Sequence, residues 1–293
     1  MFDQILQFLL TGVTVGATYA LVALGFAIIY NASDVVNFAQ GEFVMIGAMS
    51  AVALSAGENG LPMLPAMILA VLITIGVGIL LQRFAIAPAR GASVVTTIII
   101  TIGASIFLRG VALLLWGKDI FAMAHFSGET PLHIGNATLL PQNLWVMGGA
   151  ALMVIGVHLF FNYTLHGKAI LACACNRTAA NLVGINVGMM MLVAYGLSAL
   201  LGATAGILVA PITFTSYDAG VMLGLKGFSA AILGGFGNPM GAVAGGLLLG
   251  LIESLSAGLI SSGYKDAIGF IILLLVLFFR PSGLFGKASA ERV

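Results

Sequence analysis

Charge is the scarcest property of this sequence. Only 7% of its 293 residues are charged and 60% are apolar, whereas soluble domains carry roughly 25% charged residues. This shortage excludes an ordinary soluble domain and indicates an integral membrane protein. The net charge of +1 also provides no basic surface for nucleic acid. The N-terminus, MFDQILQFLL, lacks the basic residues of a cleaved signal peptide, so we expect the first apolar helix to remain in the protein.

Motifs for catalysis and metal binding are missing as well. The sequence has no GxxxxGKS/T phosphate loop, no HExxH, no GxSxG and no pair of histidines at the spacing of metal ligands. Cys173 and Cys175 are its only cysteines, and their one-residue separation fits neither a disulfide framework nor a zinc site. We therefore expect a chain that moves a solute, with no enzymatic activity, metal site or cofactor of its own.

Long apolar runs are what the sequence does contain. Most of them approach the roughly 20 residues with which a helix crosses a bilayer core, and the alternation of a transmembrane β-barrel is absent. They predict an all-α, polytopic bundle of about eight to nine transmembrane helices, built as a single membrane domain over residues 1–293. The runs cover residues 5–30, 43–57, 62–82, 94–116, 143–163, 187–210, 221–236, 240–258 and 264–280.

The few basic residues predict how the bundle is oriented, because cytoplasmic loops and ends are rich in Lys and Arg. They place the C-terminus in the cytoplasm and the N-terminus and loop 117–143 outside. Residues 164–186 then share a side with the C-terminus, so the chain between them crosses the membrane an even number of times. Three long runs cannot do this. Either run 221–236 completes a passage although Lys226 interrupts it, or one of the long runs is not a span. The residues on which this argument depends are Arg83, Arg90, Lys168, Arg177, Arg280, Lys287 and Arg292.

Two polar segments interrupt the apolar pattern at corresponding places. NASDVVNFAQGEF (31–43) follows the first run, and APITFTSYDAGVMLG (210–224) follows the sixth. Paired interruptions of this kind indicate broken helices around a translocation site. We therefore expect broken or half-crossing segments near residues 31–42 and 211–236.

The first polar segment supplies four candidate residues for a substrate path, namely Asp34, Asn37, Gln40 and Glu42. Polar groups at membrane depth are tolerated where they are buried in protein or line a water-filled cavity, and amides and carboxylates can hydrogen-bond a zwitterionic solute. Asp34 and Asn37 have a second interpretation, because Asp and Asn also favour helix N-caps.

Glycine accounts for 39 residues, and several glycines stand four positions apart. In lipid this spacing lets helix backbones approach closely, and we expect it to serve packing within one bundle, with a dimer face or a hinge as alternatives. The pairs are Gly12 and Gly16, Gly202 and Gly206, Gly220 and Gly224, Gly241 and Gly245, and Gly246 and Gly250.

Two charges lie inside predicted helices. Arg109 and Glu253 stand seven and five residues from the outer ends of their runs, which is about 8 to 10 Å deep at 1.5 Å per residue. Because intramembrane charges usually face protein and pair, we predict a salt bridge or a shared water between Arg109 and Glu253. The alternative is that Arg109 extends toward the interface.

Residues 164–186 form a polar, basic connection between two runs. The Ala-rich stretch CNRTAANLVG favours a short helix that ends at Gly184, a residue type suited to a helix C-terminus. We expect a cytoplasmic helix over residues 168–186. An ordinary loop with positive-inside charges is the alternative.

Three stretches carry a family resemblance: NFAQGEFVMIGA (37–48), GKAILACACNRTAANLVGINV (167–187) and GLKGFSAAILGGFGNPMGAVAGGLLLGLIE (224–253). They resemble permease subunits of bacterial ABC importers for branched-chain amino acids, the LivH type, and the resemblance runs nearly end to end. Gln40 stands where the family often has His, so this chain has a hydrogen-bonding side chain there without a titratable one.

The resemblance implies a function and a set of partners. Similar permeases reside in the bacterial inner membrane, pair with a second homologous permease subunit, dock two ATPase subunits that hold ATP and Mg, and receive the amino acid from a periplasmic binding protein. The expected function is that of the permease subunit of an ATP-driven importer for branched-chain amino acids. Stretch 167–187 corresponds to the family's coupling segment, which assigns contact with the ATPases to Lys168, Asn176, Arg177, Ala179, Ala180 and Gly184.

Other functions remain open on the sequence. A permease of the same class for urea, another amino acid or a sugar would share this architecture. A stand-alone secondary transporter would have broken helices but no use for a coupling segment. A scaffold subunit without a path of its own would lack the polar interruptions.

Overall fold

The computed structural model describes residues 2–57, 60–89, 91–134 and 137–286. Its regular structure is helical apart from one short hairpin, formed by β1 (Leu132–Ile134) and β2 (Ala137–Leu139), so the predicted all-α membrane architecture is confirmed. The helices are α1 (Phe2–Ser33), α2 (Gln40–Ser55), α3 (Met63–Leu80), α4 (Val94–Trp116), α5 (Pro141–Tyr163), α6 (Leu165–Cys175), α7 (Arg177–Leu182), α8 (Val187–Thr213), α9 (Ala219–Gly234), α10 (Pro239–Leu259) and α11 (Lys265–Phe279).

Seven helices within the described ranges are long and apolar enough to cross a membrane: α1, α3, α4, α5, α8, α10 and α11. A helix satisfies its backbone hydrogen bonds internally, so uninterrupted apolar runs fold as helices in lipid. The structure agrees closely with the predicted runs, and α4 has the predicted bounds. A π-helical turn, Leu81–Ile86, extends α3, and a 3₁₀ turn, Ser262–Tyr264, precedes α11.

Helix α1 lies at the centre of the bundle, where its side chains from Ala17 to Ile29 are almost completely buried. It packs tightly on α10, because a Cβ added at Gly250 would overlap the backbone of Gly16 and one added at Gly246 would overlap Ala20. The predicted use of four-residue glycine spacing in packing is confirmed at this contact. Helices α4 and α11 lie at the periphery and leave most of their surface for lipid or partner chains.

Helices α2 and α9 are short. Each has 16 residues, or about 24 Å, which is less than the ~30 Å of a bilayer core. They begin after two non-helical segments, residues 34–39 and 214–218. Both predicted interruptions are therefore present, but each is narrower than predicted because α1 continues to Ser33 and α8 to Thr213.

The N-terminal ends of α2 and α9 meet inside the bundle. A Cβ added at Gly41 would overlap the carbonyl oxygen of Gly220, and one added at Gly220 would overlap that of Gly41. The neighbouring Gln40 is hydrogen-bonded to Ser198, the twelfth of the 27 residues of α8. The meeting point therefore lies far from both ends of the bundle.

The two ends of the bundle can be distinguished by their charges. We call the end that carries Arg83, Lys168, Arg177 and Arg280 the basic face, and the end that carries loop 117–140 the opposite face. Three basic residues used in the orientation argument lie outside the described residues, namely Arg90, Lys287 and Arg292.

Helix α9 and the segment before it complete the passage that the orientation argument requires. Thr215 pairs with Phe121 in the loop of the opposite face. After α9, Gly237 lies against Tyr30 near the end of α1 at the basic face. The chain thus traverses the bundle as a non-helical segment followed by a half-crossing helix.

The prediction of one continuous helix over residues 168–186 is wrong, because the chain forms two helices, α6 and α7, that are separated at Asn176. Asn176 has extended backbone, with φ −162° and ψ 107°, and its Oδ1 accepts a 2.9 Å hydrogen bond from the amide of Ala179. Asn favours this N-cap position, so Asn176 ends one helix and starts the next. Gly184 follows α7 with φ +89°, as expected at a helix C-terminus.

Candidate functional site

A cavity of about 160 Å³ lies between α2, α4 and α9, beside the point where the two short helices meet. It combines ionisable and hydroxyl side chains with aromatic rings and with backbone exposed at glycines. Its lining includes Glu42, Ser105, Arg109, Phe26, Phe38, Phe228, Gly41, Gly220 and Gly224.

Glu42 is the buried carboxylate of this cavity, with 1% of its surface exposed. Its Oε1 accepts a 2.7 Å hydrogen bond from Ser105 Oγ and lies 3.3 Å from Arg109 Nε. Its Oε2 has no hydrogen-bond partner among the described residues. Because a buried carboxylate needs hydrogen bonds or a counter-charge to offset its lost hydration, Oε2 is an unsatisfied position in the site.

The backbone adds positive potential at the same place. Glu42 lies in the first turn of α2, and the contact between Gly41 and Gly220 brings the first turn of α9 beside it. The unpaired amides of a first turn carry partial positive charge, and half-helix N-termini in transporters point at anionic groups. The site therefore joins one carboxylate, one guanidinium and two helix N-termini.

Aromatic side chains form the apolar part of the cavity. Phe228 on α9 packs against two other rings. Its ring centroid lies 5.8 Å from that of Phe26 and 5.4 Å from that of Phe38. The series continues from Phe228 to Phe236 at 5.7 Å and from Phe236 to Tyr30 at 4.7 Å. These tilted and edge-on contacts are favourable aromatic geometries, and the row extends from the cavity to the basic face.

Gln40 is buried in the bundle, apart from the cavity lining. Ser198 Oγ donates to Gln40 Oε1 at 2.5 Å, and Gln40 Nε2 donates to the carbonyl oxygen of Ser198 at 3.2 Å. A Cβ added at Gly25 of α1 would overlap the Gln40 amide. Gln40 therefore joins α1, α2 and α8 and supports the start of α2.

Asn37 and Asp34 also lie outside the cavity lining. Asn37 is buried, and its Oδ1 accepts a 3.1 Å hydrogen bond from the amide of Ala39 in the turn before α2. The N-cap position of α2 belongs to Ala39, which has no side-chain cap. Asp34 follows α1 at the basic face, where its Oδ2 lies 3.2 Å from Arg177 Nη2. The N-cap alternative therefore applies to neither residue.

The predicted pair of Arg109 with Glu253 is wrong. Arg109 contacts Glu42, whereas Glu253 forms a buried ion pair with Lys226 on α9. Lys226 also lies 2.8 Å from Asp266 Oδ1, and Tyr19 Oη donates a 2.8 Å hydrogen bond to Glu253 Oε2. This cluster joins α1, α9, α10 and α11. The position of a charge along its helix does not determine which way its side chain faces.

Sequence reasoning missed several residues of these sites, among them Lys226 and Ser105. Lys226 interrupts an apolar run, and an ionisable residue inside a membrane helix is itself a signal that a partner lies nearby. Ser105, which bonds Glu42, carries no such signal because small hydroxyl residues are common in membrane helices.

The predicted coupling residues lie together on the basic face. Lys168 is exposed on α6, Asn176 caps α7, and Arg177 donates to Asp34 and to the carbonyl oxygen of Ala32 at 3.1 Å. Ala179 is exposed, whereas Ala180 is 4% exposed and packs in the core. The two alanines therefore have different environments, and Ala180 anchors α7 to the bundle.

Comparison with known proteins identifies the family. The family model described as branched-chain amino acid transport system, permease component, matches residues 8–277. The chain belongs to this family. It is 33% identical to the high-affinity branched-chain amino acid transport system permease protein LivH of Escherichia coli K12. The alignment has 311 positions, gaps included, and covers 100% of both chains. It is 34% identical to the corresponding permease protein BraD of Pseudomonas aeruginosa, over 98% of each chain.

Membership in this permease family confirms the resemblance seen in the sequence and agrees with the expectation of a transport component that is not an enzyme. A sugar permease is also related: the ribose import permease protein RbsC of Escherichia coli is 30% identical over 152 residues, which is 49% of this chain and 46% of the relative. Because the matches to branched-chain amino acid permeases extend over the full length, they support that family over the sugar alternative.

Proposed function

We propose that this chain is the membrane-spanning permease subunit of an ATP-driven importer for branched-chain, hydrophobic amino acids in the bacterial inner membrane. A second, homologous permease subunit completes the translocation path. The relatives described as branched-chain amino acid permeases support this proposal, since they match the chain from end to end.

The cavity where α2 and α9 meet is the observation that carries the proposal. A solute with a charged head and a branched apolar side chain needs both polar and apolar contacts, and Glu42, Arg109 and the phenylalanines supply both in one place. Irregular backbone beside this cavity fits the general rule that broken helices mark transport sites. Glu42 is the central polar residue of the path, with Asn37 and Gln40 supporting the start of α2 and Asp34 at its basic end.

The proposal assigns the two faces to different partners. The basic face lies in the cytoplasm and carries the C-terminus, while the opposite face and the N-terminus lie in the periplasm. Two ATPase subunits, which hold ATP and Mg, serve the pair of permease subunits, and one of them docks on α6 and α7 of this chain. A periplasmic binding protein delivers the amino acid at the opposite face. Arg177 connects α7 to Asp34 in the segment before α2, so movement of α7 has a physical link to the path.

Reconstitution of the whole importer tests this proposal. The chain, its second permease subunit and two ATPases are placed in proteoliposomes with ATP enclosed, and the binding protein is added outside with radiolabelled leucine, isoleucine or valine. We expect amino-acid uptake that requires both ATP and the binding protein. Uptake by this chain alone, driven by an ion gradient, would show a secondary transporter, and uptake of urea or ribose but not of leucine would show a different substrate.

A further inference from the structure

We infer that Glu42 and Arg109 recognise the two charges of the amino acid, with Glu42 binding its α-ammonium group and Arg109 its α-carboxylate. Phe26, Phe38 and Phe228 then receive the branched side chain. This inference rests on the proposed function and specifies which atoms of the substrate the path recognises.

Glu42 is prepared to bind a cation. One carboxylate oxygen is held by Ser105 and Arg109, which fixes the group on the wall of the cavity. The other oxygen, Oε2, is buried and has no hydrogen-bond partner in the described part of the chain. A primary ammonium group has three donors and would supply the missing hydrogen bond together with a counter-charge.

Arg109 is prepared to bind an anion. Its Nε lies 3.3 Å from Glu42 Oε1 but makes no hydrogen bond within the described residues, so the guanidinium has donor capacity to spare. The side chain is 32% exposed and lines the cavity. A guanidinium binds carboxylates through two parallel N–H donors, and the first turns of α2 and α9 add positive potential beside it. The carboxylate of a zwitterion can therefore accept hydrogen bonds from Arg109 while its ammonium group donates to the neighbouring Glu42.

Charge balance makes the site selective for a zwitterion. Glu42 and Arg109 already neutralise each other, so a solute with two opposite charges adds no net charge to a buried site. A solute with one charge would leave an unpaired charge in the cavity, and sites built to pair polar groups reject analogues that lack one of them. Two analogues of leucine separate the contributions of its two charged groups to binding. The first, 4-methylpentanoate, lacks the ammonium group, and the second, 3-methylbutylamine, lacks the carboxylate.

Protection of an introduced thiol measures this selectivity. Val221 lines the cavity, and Val221→Cys is placed in a Cys173→Ser, Cys175→Ser background in the assembled importer in lipid nanodiscs. The rate of labelling by a small thiol reagent is measured with leucine, 4-methylpentanoate or 3-methylbutylamine. We expect leucine to slow labelling by roughly tenfold or more and each analogue to change it less than about twofold. Glu42→Gln should abolish protection by leucine, and the control Leu152→Met, which changes a 71% exposed side chain on the outer surface of α5, should preserve it.

Three results would overturn the inference: equal protection by leucine and either analogue, protection that survives Glu42→Gln, or no protection by any of the solutes. Stimulation of ATP hydrolysis by the binding protein confirms that each variant complex is assembled. The uptake assay separates this inference from the proposed function. ATP-dependent leucine uptake without zwitterion-selective protection refutes only the inference, whereas absence of leucine uptake by the wild-type complex refutes the proposed function itself.

Discussion

Gly41 and Gly220 contact each other through their backbones at the N-terminal ends of α2 and α9. This contact holds the two half-crossing helices together beside the cavity. Gly41→Ala would place a methyl group against the carbonyl oxygen of Gly220, and overpacking of this kind costs about 1–3 kcal/mol. We expect a lower midpoint of thermal unfolding in detergent and reduced leucine uptake.

The matched control for that substitution is Gly110→Ala. Gly110 lies within α4, and a Cβ added there meets no heavy atom within 4 Å. Alanine favours a helix over glycine by up to ~1 kcal/mol, so this variant should be as stable as the wild type or slightly more stable. Equal behaviour of Gly41→Ala and Gly110→Ala would show that the contact between the half-helices is unimportant.

Lys226 provides the buried cation of the cluster that joins α1, α9, α10 and α11. Lys226→Met leaves Glu253 buried without its counter-charge, and removal of one partner of a buried pair costs about 3–5 kcal/mol. We expect a large loss of thermal stability. The double variant with Glu253→Gln should recover most of it, because the amide oxygen can still accept the hydrogen bond from Tyr19. A single variant as stable as the wild type would contradict this role.

Helix α7 presents an exposed apolar edge at the basic face. Leu182 and Val183 are 83% and 77% exposed, next to the exposed Ala179. Leu182→Asp and Ala179→Glu should leave the bundle folded but weaken ATPase association and substrate-stimulated hydrolysis, which a pull-down and a phosphate-release assay measure. Ile120→Asp is the control for the pull-down, since Ile120 is 74% exposed in the loop of the opposite face, away from the ATPases. Wild-type ATPase binding by the α7 variants would identify the segment as an ordinary loop.

The native cysteines report the orientation of the bundle. Cys175 is exposed and Cys173 is buried, and burial raises the pKa of the Cys173 thiol, so at neutral pH less of it is the reactive thiolate. With the second permease subunit but without ATPases, a membrane-impermeant maleimide should label the chain in inside-out vesicles and spare it in intact spheroplasts. Cys175→Ser should remove the label. Labelling in spheroplasts would place the basic face outside the cell.

Much of the fold could be predicted because the length of an apolar run and the polar segments that interrupt such runs are local properties of the sequence. The run 94–116 coincides with α4, and the polar segments after the first and sixth runs coincide with the starts of α2 and α9. The break at Asn176 could not be predicted from composition, because the surrounding alanines favour one continuous helix while Asn also favours the N-cap position at which a new helix starts.

The site could be predicted only in part, because its pairs depend on which sides of different helices face each other. Glu42 was identified from its place in a polar segment, but its partners Ser105 and Arg109 lie on α4, more than 60 residues away in the chain. Equal depth suggested Glu253 as the partner of Arg109, whereas the rotation of α10 directs Glu253 toward Lys226. Gln40 and Asn37 had the polarity expected of a path, yet their hydrogen bonds are made within the bundle.

Leucine uptake by the Glu42→Gln importer tests most directly whether the cavity between α2, α4 and α9 is the translocation path. Glutamine preserves the size of the side chain and can accept the hydrogen bond from Ser105, so the variant should assemble with its partners and hydrolyse ATP. We predict that ATP-dependent leucine uptake into proteoliposomes is abolished, while Leu152→Met, on the outer surface of α5, transports like the wild type. Wild-type uptake by a correctly assembled Glu42→Gln complex would show that the amino acid crosses the membrane elsewhere.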